Sequence, residues 1–82
     1  MSVGGRIIEI GPYVLWDKDD PKVRRDVIRI WVIDRENIET IVYAEPAAEL
    51  PRHGEDIWWQ AGSIFFGNDH CKLKKVAYSH SP

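Results

Sequence analysis

A run of β-branched residues in the middle of the chain constrains the fold more than any other feature. Residues 27–33 read VIRIWVI, and five of these seven side chains are Val or Ile. Such side chains lose rotamer freedom in a helix and pack well on a pleated surface, so we predict a β-strand here. One face of this strand would carry Ile28, Ile30 and Val32, and the other Val27, Trp31 and Ile33. Because both faces are apolar, the strand should be central or bent.

A helix over 21–31 is the alternative for this part of the chain. Asp20 and Pro21 resemble an N-cap followed by proline at the first helical position. Apolar residues also recur at helical spacing, at Val23, Val27, Ile30 and Trp31. The β-branched content makes the strand our preferred interpretation.

Several further segments are short, apolar and bounded by turn-forming residues, which is typical of strands. They are residues 6–10, ended by Gly11-Pro12, with 13–16 as an extension, then 38–44, 56–61, 63–67 and 71–79. Within 56–67, alternation places Ile57 and Trp59 on one face and Trp58 and Gln60 on the other, while Phe65 separates from Ile64 and Phe66. One aromatic row of this hairpin should therefore face the core, and the other should not.

The connections carry their own signals. Residues 34–37 (DREN) predict a tight reversal that ends in Asn, and Gly62 should supply a positive φ in the 56–67 hairpin. Residues 45–55 contain two prolines and a glycine and form the longest predicted connection, where function often lies. In the last strand Cys71 and Leu73 are out of phase with later apolar residues, which predicts a β-bulge near Lys74-Lys75.

These elements predict an all-β, mainly antiparallel fold of five or six short strands. The chain resembles small SH3-like and OB-like barrels in size and strand rhythm, and a curled sheet is the looser form of this prediction. At 82 residues it has room for a single domain over 1–82, with a frayed tail at 79–82. The four tryptophans should provide the main mass of the core. In length and texture the chain is also similar to short accessory proteins of bacteria and phages.

Charge and cysteine content bear on compartment and partners. The single cysteine excludes an intramolecular disulfide and fits a reducing compartment. The sequence shows neither an apolar run of membrane-spanning length nor the pattern of a signal peptide, so we expect a cytoplasmic protein without membrane partners. The net charge of −2 argues against a protein that binds mainly by neutralising phosphates.

The sequence contains no recognisable catalytic, metal or cofactor motif. Asp69, His70 and Cys71 are adjacent, but neighbouring residues of a strand point to opposite faces and would rarely bind one ion. Ser63 lacks the glycine-flanked elbow of hydrolases, and Gly4-Gly5 is not part of a phosphate-binding loop. We therefore expect a protein without enzymatic activity, metal or cofactor.

Binding is the function that the sequence favours. The aromatic row that the core does not use would expose Trp58 and Phe65, and Arg52 and His53 lie in the long connection nearby in sequence. We predict a protein-interaction module with these four residues as its contact surface and a homodimer as one form of partner. The alternative is single-stranded nucleic acid, bound by Trp58 with the lysines of the last strand, Lys72, Lys74 and Lys75.

Overall fold

All regular structure in the described part of the chain is β-strand. The computed structural model describes residues 3–17, 19–20, 22–67 and 71–76. The strands are β1 (Val3–Trp16), β2 (Arg24–Ile33), β3 (Glu39–Ala44), β4 (Asp56–Gln60), β5 (Ser63–Phe66) and β6 (Cys71–Val76). The strand predicted over 27–33 is confirmed as part of β2. The helix alternative over 21–31 is wrong for the residues described there, because the β-branched side chains pack on a sheet instead.

The six strands form one closed antiparallel barrel in the order β1-β2-β3-β6-β5-β4. Strands β1 to β3 make one meander and β4 to β6 a second. The meanders join along two seams, β1 with β4 over four residue pairs and β3 with β6 over two. The predicted all-β antiparallel class is confirmed. None of the described residues belongs to a helix that is long and apolar enough to cross a membrane.

Strand β1 runs straight through Gly11-Pro12, which the sequence had predicted to end it. Pairing with β4 stops at Arg6, and among the described residues the later part of β1 pairs with β2 alone. The Asp17 N–H donates to the Val23 carbonyl, which fixes the alternation of the β1–β2 ladder. By that alternation Pro12 points its backbone nitrogen away from β2, to the edge of β1 on which no other described strand pairs. Proline is tolerated there because no N–H is needed.

The main core is aliphatic rather than built on tryptophan. Only one of the four tryptophans, Trp59, packs against it, while Trp16 is 55% exposed and the other two are half-buried. Aliphatic side chains fill most of the interior of so narrow a barrel, and Trp59 supplies the one indole ring that packs against this core among the described residues. The buried residues of this core are Ile7, Ile28, Ile30, Val32, Val42, Ala44, Ile57, Ile64, Phe66 and Leu73.

A second, smaller cluster lies on the outer face of the sheet. It contains Leu15, Val27 and Val76, with Tyr43 packed against it. Val27 alternates with the inward-facing Ile28, and Val76 pairs directly with Tyr43. The alternation of β6 is therefore regular, with Leu73 buried inside and Val76 buried outside. The bulge predicted near Lys74-Lys75 is not found, since two cores on opposite faces explain the change of phase. The irregularity in pairing lies instead in β1, whose register with β2 shifts between Ile7 and Glu9.

The turns lie where the sequence predicts them, but the left-handed residue of one turn is not the one expected. Asn37 closes the predicted reversal with a φ of 62°, and residues 45–55 form the long connection. In the β4–β5 hairpin the left-handed residue is Ala61, with a φ of 55°, and not Gly62. The predicted continuation of the last strand to residue 79 and the frayed tail at 79–82 lie outside the described residues.

Candidate functional site

The two aromatic residues predicted as a binding site face each other on the outside of the barrel. Trp58 of β4 pairs with Phe65 of β5, and their rings stack with centroids 6.0 Å apart and planes 16° apart. Their chain neighbours Ile57, Ile64 and Phe66 point inward and are buried. Both rings are half-buried on the outer surface. The prediction that one aromatic row of this hairpin lies outside the core is thus confirmed.

Two of the three predicted lysines share this outer face. Lys72 of β6 pairs with Phe65, and Lys74 pairs with Ser63 one row further along. Both lysines are exposed, and the Lys74 Nζ lies 3.8 Å from Glu45 Oε1. The same Glu45 oxygen is 2.7 Å from the Arg25 guanidinium, so Glu45 already forms a closer ion pair with Arg25.

The third lysine does not belong to this surface. Lys75 pairs with Ala44, which is fully buried, so its side chain leaves the sheet on the opposite side from Lys72 and Lys74. Of the three lysines named for the nucleic-acid alternative, the structure therefore brings only Lys72 and Lys74 onto one face. Alternation within a strand separates neighbours, and the regular β6 leaves no bulge to bring them together.

Arg52 and His53 lie apart from the aromatic pair. They belong to a turn over 52–55, in which the Glu55 N–H donates to the Arg52 carbonyl and Gly54 has a φ of 90°. This turn is bound to β1 because the Ile7 N–H donates to the Glu55 carbonyl and the Gly54 N–H to the Ile7 carbonyl, both at 2.9 Å. Trp58 pairs with Gly4 of β1, and Ile7 lies three residues beyond Gly4, about 10 Å further along the strand.

A groove that the sequence did not predict adjoins the aromatic pair. Trp58 pairs on its other side with Gly4, and Gly4 also lines an open groove of about 810 Å³ between the start of β1 and the β2–β3 turn. An unbroken row of residues thus crosses four strands, from Gly4 through Trp58 and Phe65 to Lys72. The charged residues that line the groove are Arg6, Asp34, Arg35, Glu36 and Asp56. The only sequence feature that marks this groove is the Gly4-Gly5 pair, and its position beside Trp58 follows from the register between β1 and β4.

A second aromatic group lies on the outer face of β1 to β3. The rings of Tyr13 and Tyr43 stack with centroids 5.9 Å apart, and the Arg29 guanidinium lies 4.9 Å from the centre of the Tyr13 ring. Arg29 also reaches Glu9 at 3.3 Å. These groups contact one another, and Tyr43 packs against the cluster around Val27, so a structural role accounts for them.

The described residues show no constellation for metal binding. No group of three or more His, Cys, Asp or Glu side chains within them could hold an ion. Cys71 is half-buried against the main core, with its Sγ 3.8 Å from Glu49 Oε2. Asp69 and His70, the neighbours considered above with Cys71, lie outside the described residues.

The fold and this surface together define a class: a small closed antiparallel β-barrel with an aromatic pair on its outer face. Its interior is filled by aliphatic side chains, so the barrel is a packed scaffold rather than a container for a ligand. Comparisons of this chain with protein-family models, with curated proteins and with solved structures gave no match.

Proposed function

We propose that this chain is a non-catalytic module that binds another protein through the outer face of β4, β5 and β6. The observation that supports this most is the stacked pair of Trp58 and Phe65 on the outer face, neither of which belongs to the main core cluster. Aromatic rings with rigid neighbours supply much of the energy at protein interfaces, because they bury a large area and lose little side-chain entropy. A flanking cation such as Lys72 suits the polar rim of such a surface.

The experiment is an affinity pull-down with the intact protein, compared with the double variant Trp58→Ala/Phe65→Ala. We expect a specific protein to be recovered with the intact chain and lost with the variant. Tyr13→Ala on the opposite outer face serves as the control and should retain the partner. Circular dichroism and thermal unfolding of each variant show that the barrel is intact. Equal recovery by the folded double variant would overturn the proposed surface.

Single-stranded nucleic acid is the second candidate, favoured by the direct pairing of Phe65 with Lys72. A ring beside a lysine allows base stacking together with a phosphate contact. The separation of Lys75 from this face and the nearness of Lys74 to Glu45 reduce the charge available for it. Binding of a labelled oligothymidine measured at several salt concentrations distinguishes the two candidates, since phosphate contacts give a steep salt dependence.

A homodimer is a third form of partner that fits the same surface. Light scattering of the purified chain over a range of concentrations tests it. A dimer that dissociates in the Trp58→Ala/Phe65→Ala variant would make a second copy of the chain the partner.

A further inference from the structure

The row from Gly4 to Lys72 also specifies what kind of protein segment fits it. We infer that the bound segment is an extended peptide in which an acidic residue stands two positions from a bulky apolar residue. This inference rests on the proposed function above and names the chemistry of the partner at the same surface.

The spacing follows from the geometry of the sheet. Neighbouring strands lie about 4.8 Å apart, so Lys72 is about 7 Å from the midpoint between Trp58 and Phe65. In an extended peptide, side chains at positions i and i+2 point the same way and lie about 6.8 Å apart. A peptide that crosses the strands can therefore place an apolar side chain over the two rings and a carboxylate at Lys72 at the same time.

At the β6 end of the row, the positive charge of Lys72 is available to a ligand. Lys72 is exposed, and among the described residues it makes no ion pair. Its neighbour Lys74 lies within ion-pair distance of Glu45, which holds Arg25 more closely. Lys72 is therefore the cation on this face best placed to meet a carboxylate of the partner.

The other end of the row favours a peptide over a nucleic acid. Beyond Gly4 the groove is lined by three acidic residues, Asp34, Glu36 and Asp56, against two arginines. A phosphate backbone that continued from Lys72 across the rings would meet a lining with an excess of one negative charge, which disfavours it. A peptide meets it without penalty, because its backbone is neutral and its next side chains can be polar or basic.

The first test is selection from a phage-displayed library of random 12-residue peptides on the immobilised protein. We expect enrichment of peptides with Asp or Glu two positions from Trp, Phe, Leu or Ile, and loss of their binding to the Trp58→Ala/Phe65→Ala variant. Enriched peptides that need the two rings but carry no acidic residue at this spacing would overturn the inference and leave the proposed function standing. Failure to enrich any peptide that depends on the rings would overturn the inference, whereas the proposed function stands or falls on the pull-down with the Trp58→Ala/Phe65→Ala variant.

The second test is a charge exchange, measured by fluorescence polarisation with one enriched peptide. Lys72→Glu should weaken binding about three- to tenfold, the range expected when an exposed ion pair becomes a repulsion. A peptide with its acidic residue replaced by Lys should bind the Lys72→Glu variant better than it binds the intact protein. Lys22→Glu, an equal change of charge at an exposed loop residue, is the control and should leave the affinity unchanged.

Three results of this second test would overturn the inference. One is equal weakening by Lys72→Glu and Lys22→Glu, which would indicate a general charge effect. Another is the absence of rescue by the Lys-containing peptide. The third is displacement of the peptide by a 12-nucleotide oligothymidine at physiological salt, which would assign the surface to nucleic acid.

Discussion

Gly4 of β1 lies so close to Ile57 of β4 that a Cβ added to Gly4 would overlap the Ile57 carbonyl oxygen. The next residue, Gly5, is as restricted, since its Cβ would stand 2.6 Å from the Ile33 carbonyl oxygen. Backbone atoms cannot move aside as a flexible side chain can. The two glycines therefore let β1 fit between β2 and β4.

Alanine at either position should destabilise the fold. We expect Gly4→Ala and Gly5→Ala each to lower the free energy of unfolding by about 1–3 kcal/mol, the usual cost of overpacking. Gly11→Ala in the same strand is the matched control, because a Cβ there has nothing within 4 Å. Chemical denaturation measures all three. A loss of stability in Gly11→Ala equal to the other two would contradict this explanation.

The β4–β5 turn should become more stable when Ala61 is replaced by glycine. Ala61 has a φ of 55°, a left-handed conformation that costs a residue with a Cβ roughly 1–2 kcal/mol relative to glycine. We expect Ala61→Gly to raise the melting temperature by several degrees, given the about 4–8 °C per kcal/mol typical of a domain this size. Gly54→Ala should do the opposite, since Gly54 has a φ of 90°. A lower melting temperature for Ala61→Gly would argue against strain at this turn.

The outer cluster should behave as a second core. Val27 is 1% exposed, and removing two of its methyl groups in Val27→Ala should cost about 1–3 kcal/mol of unfolding free energy. Val23→Ala is the same chemical change at a residue that is 50% exposed, and it should cost less than about 0.5 kcal/mol. Equilibrium unfolding in urea compares the two. Similar costs at both positions would show that the outer face is not a packed cluster.

Pro12 should protect the edge of β1 that faces away from β2, unpaired among the described residues, from pairing with other chains. Residues 10–16 of this edge carry no charge, so an unpaired backbone edge here would be a site for association. We expect Pro12→Val, which restores an N–H and a β-branched side chain, to increase self-association at high concentration. Pro46→Val in the exposed connection is the control. Light scattering at rising concentration measures both, and equal behaviour of the two variants would remove this role from Pro12.

Most of the strands could be predicted from local sequence, because alternation and β-branching are properties of neighbouring residues. The hairpin of β4 and β5 and the faces of Trp58 and Phe65 followed in this way. The errors arose where a residue's meaning depends on distant strands. Pro12 was taken as a strand end because its position beyond the β1–β4 pairing is set by where β4 stops.

The candidate site was predictable only in part, for the same reason. Trp58 and Phe65 are close in sequence, and their pairing follows from one hairpin. Arg52 and His53 were grouped with them by sequence distance, but the 52–55 turn is held at Ile7 and lies further along β1. The place of Gly4 beside Trp58 requires the register of β1 against β4, which no local pattern encodes.

The division of the barrel into two meanders has a practical consequence. Residues 45–55 are the only covalent link between the halves, and Ala47 and Ala48 within this link are exposed. A cut between them would leave every strand-to-strand ladder intact, with both seams still available to hold the halves together. We expect the two pieces, made as separate chains, to recognise each other and restore the barrel. The protein would then serve as a split reporter whose reassembly depends on the proximity of whatever is fused to each half.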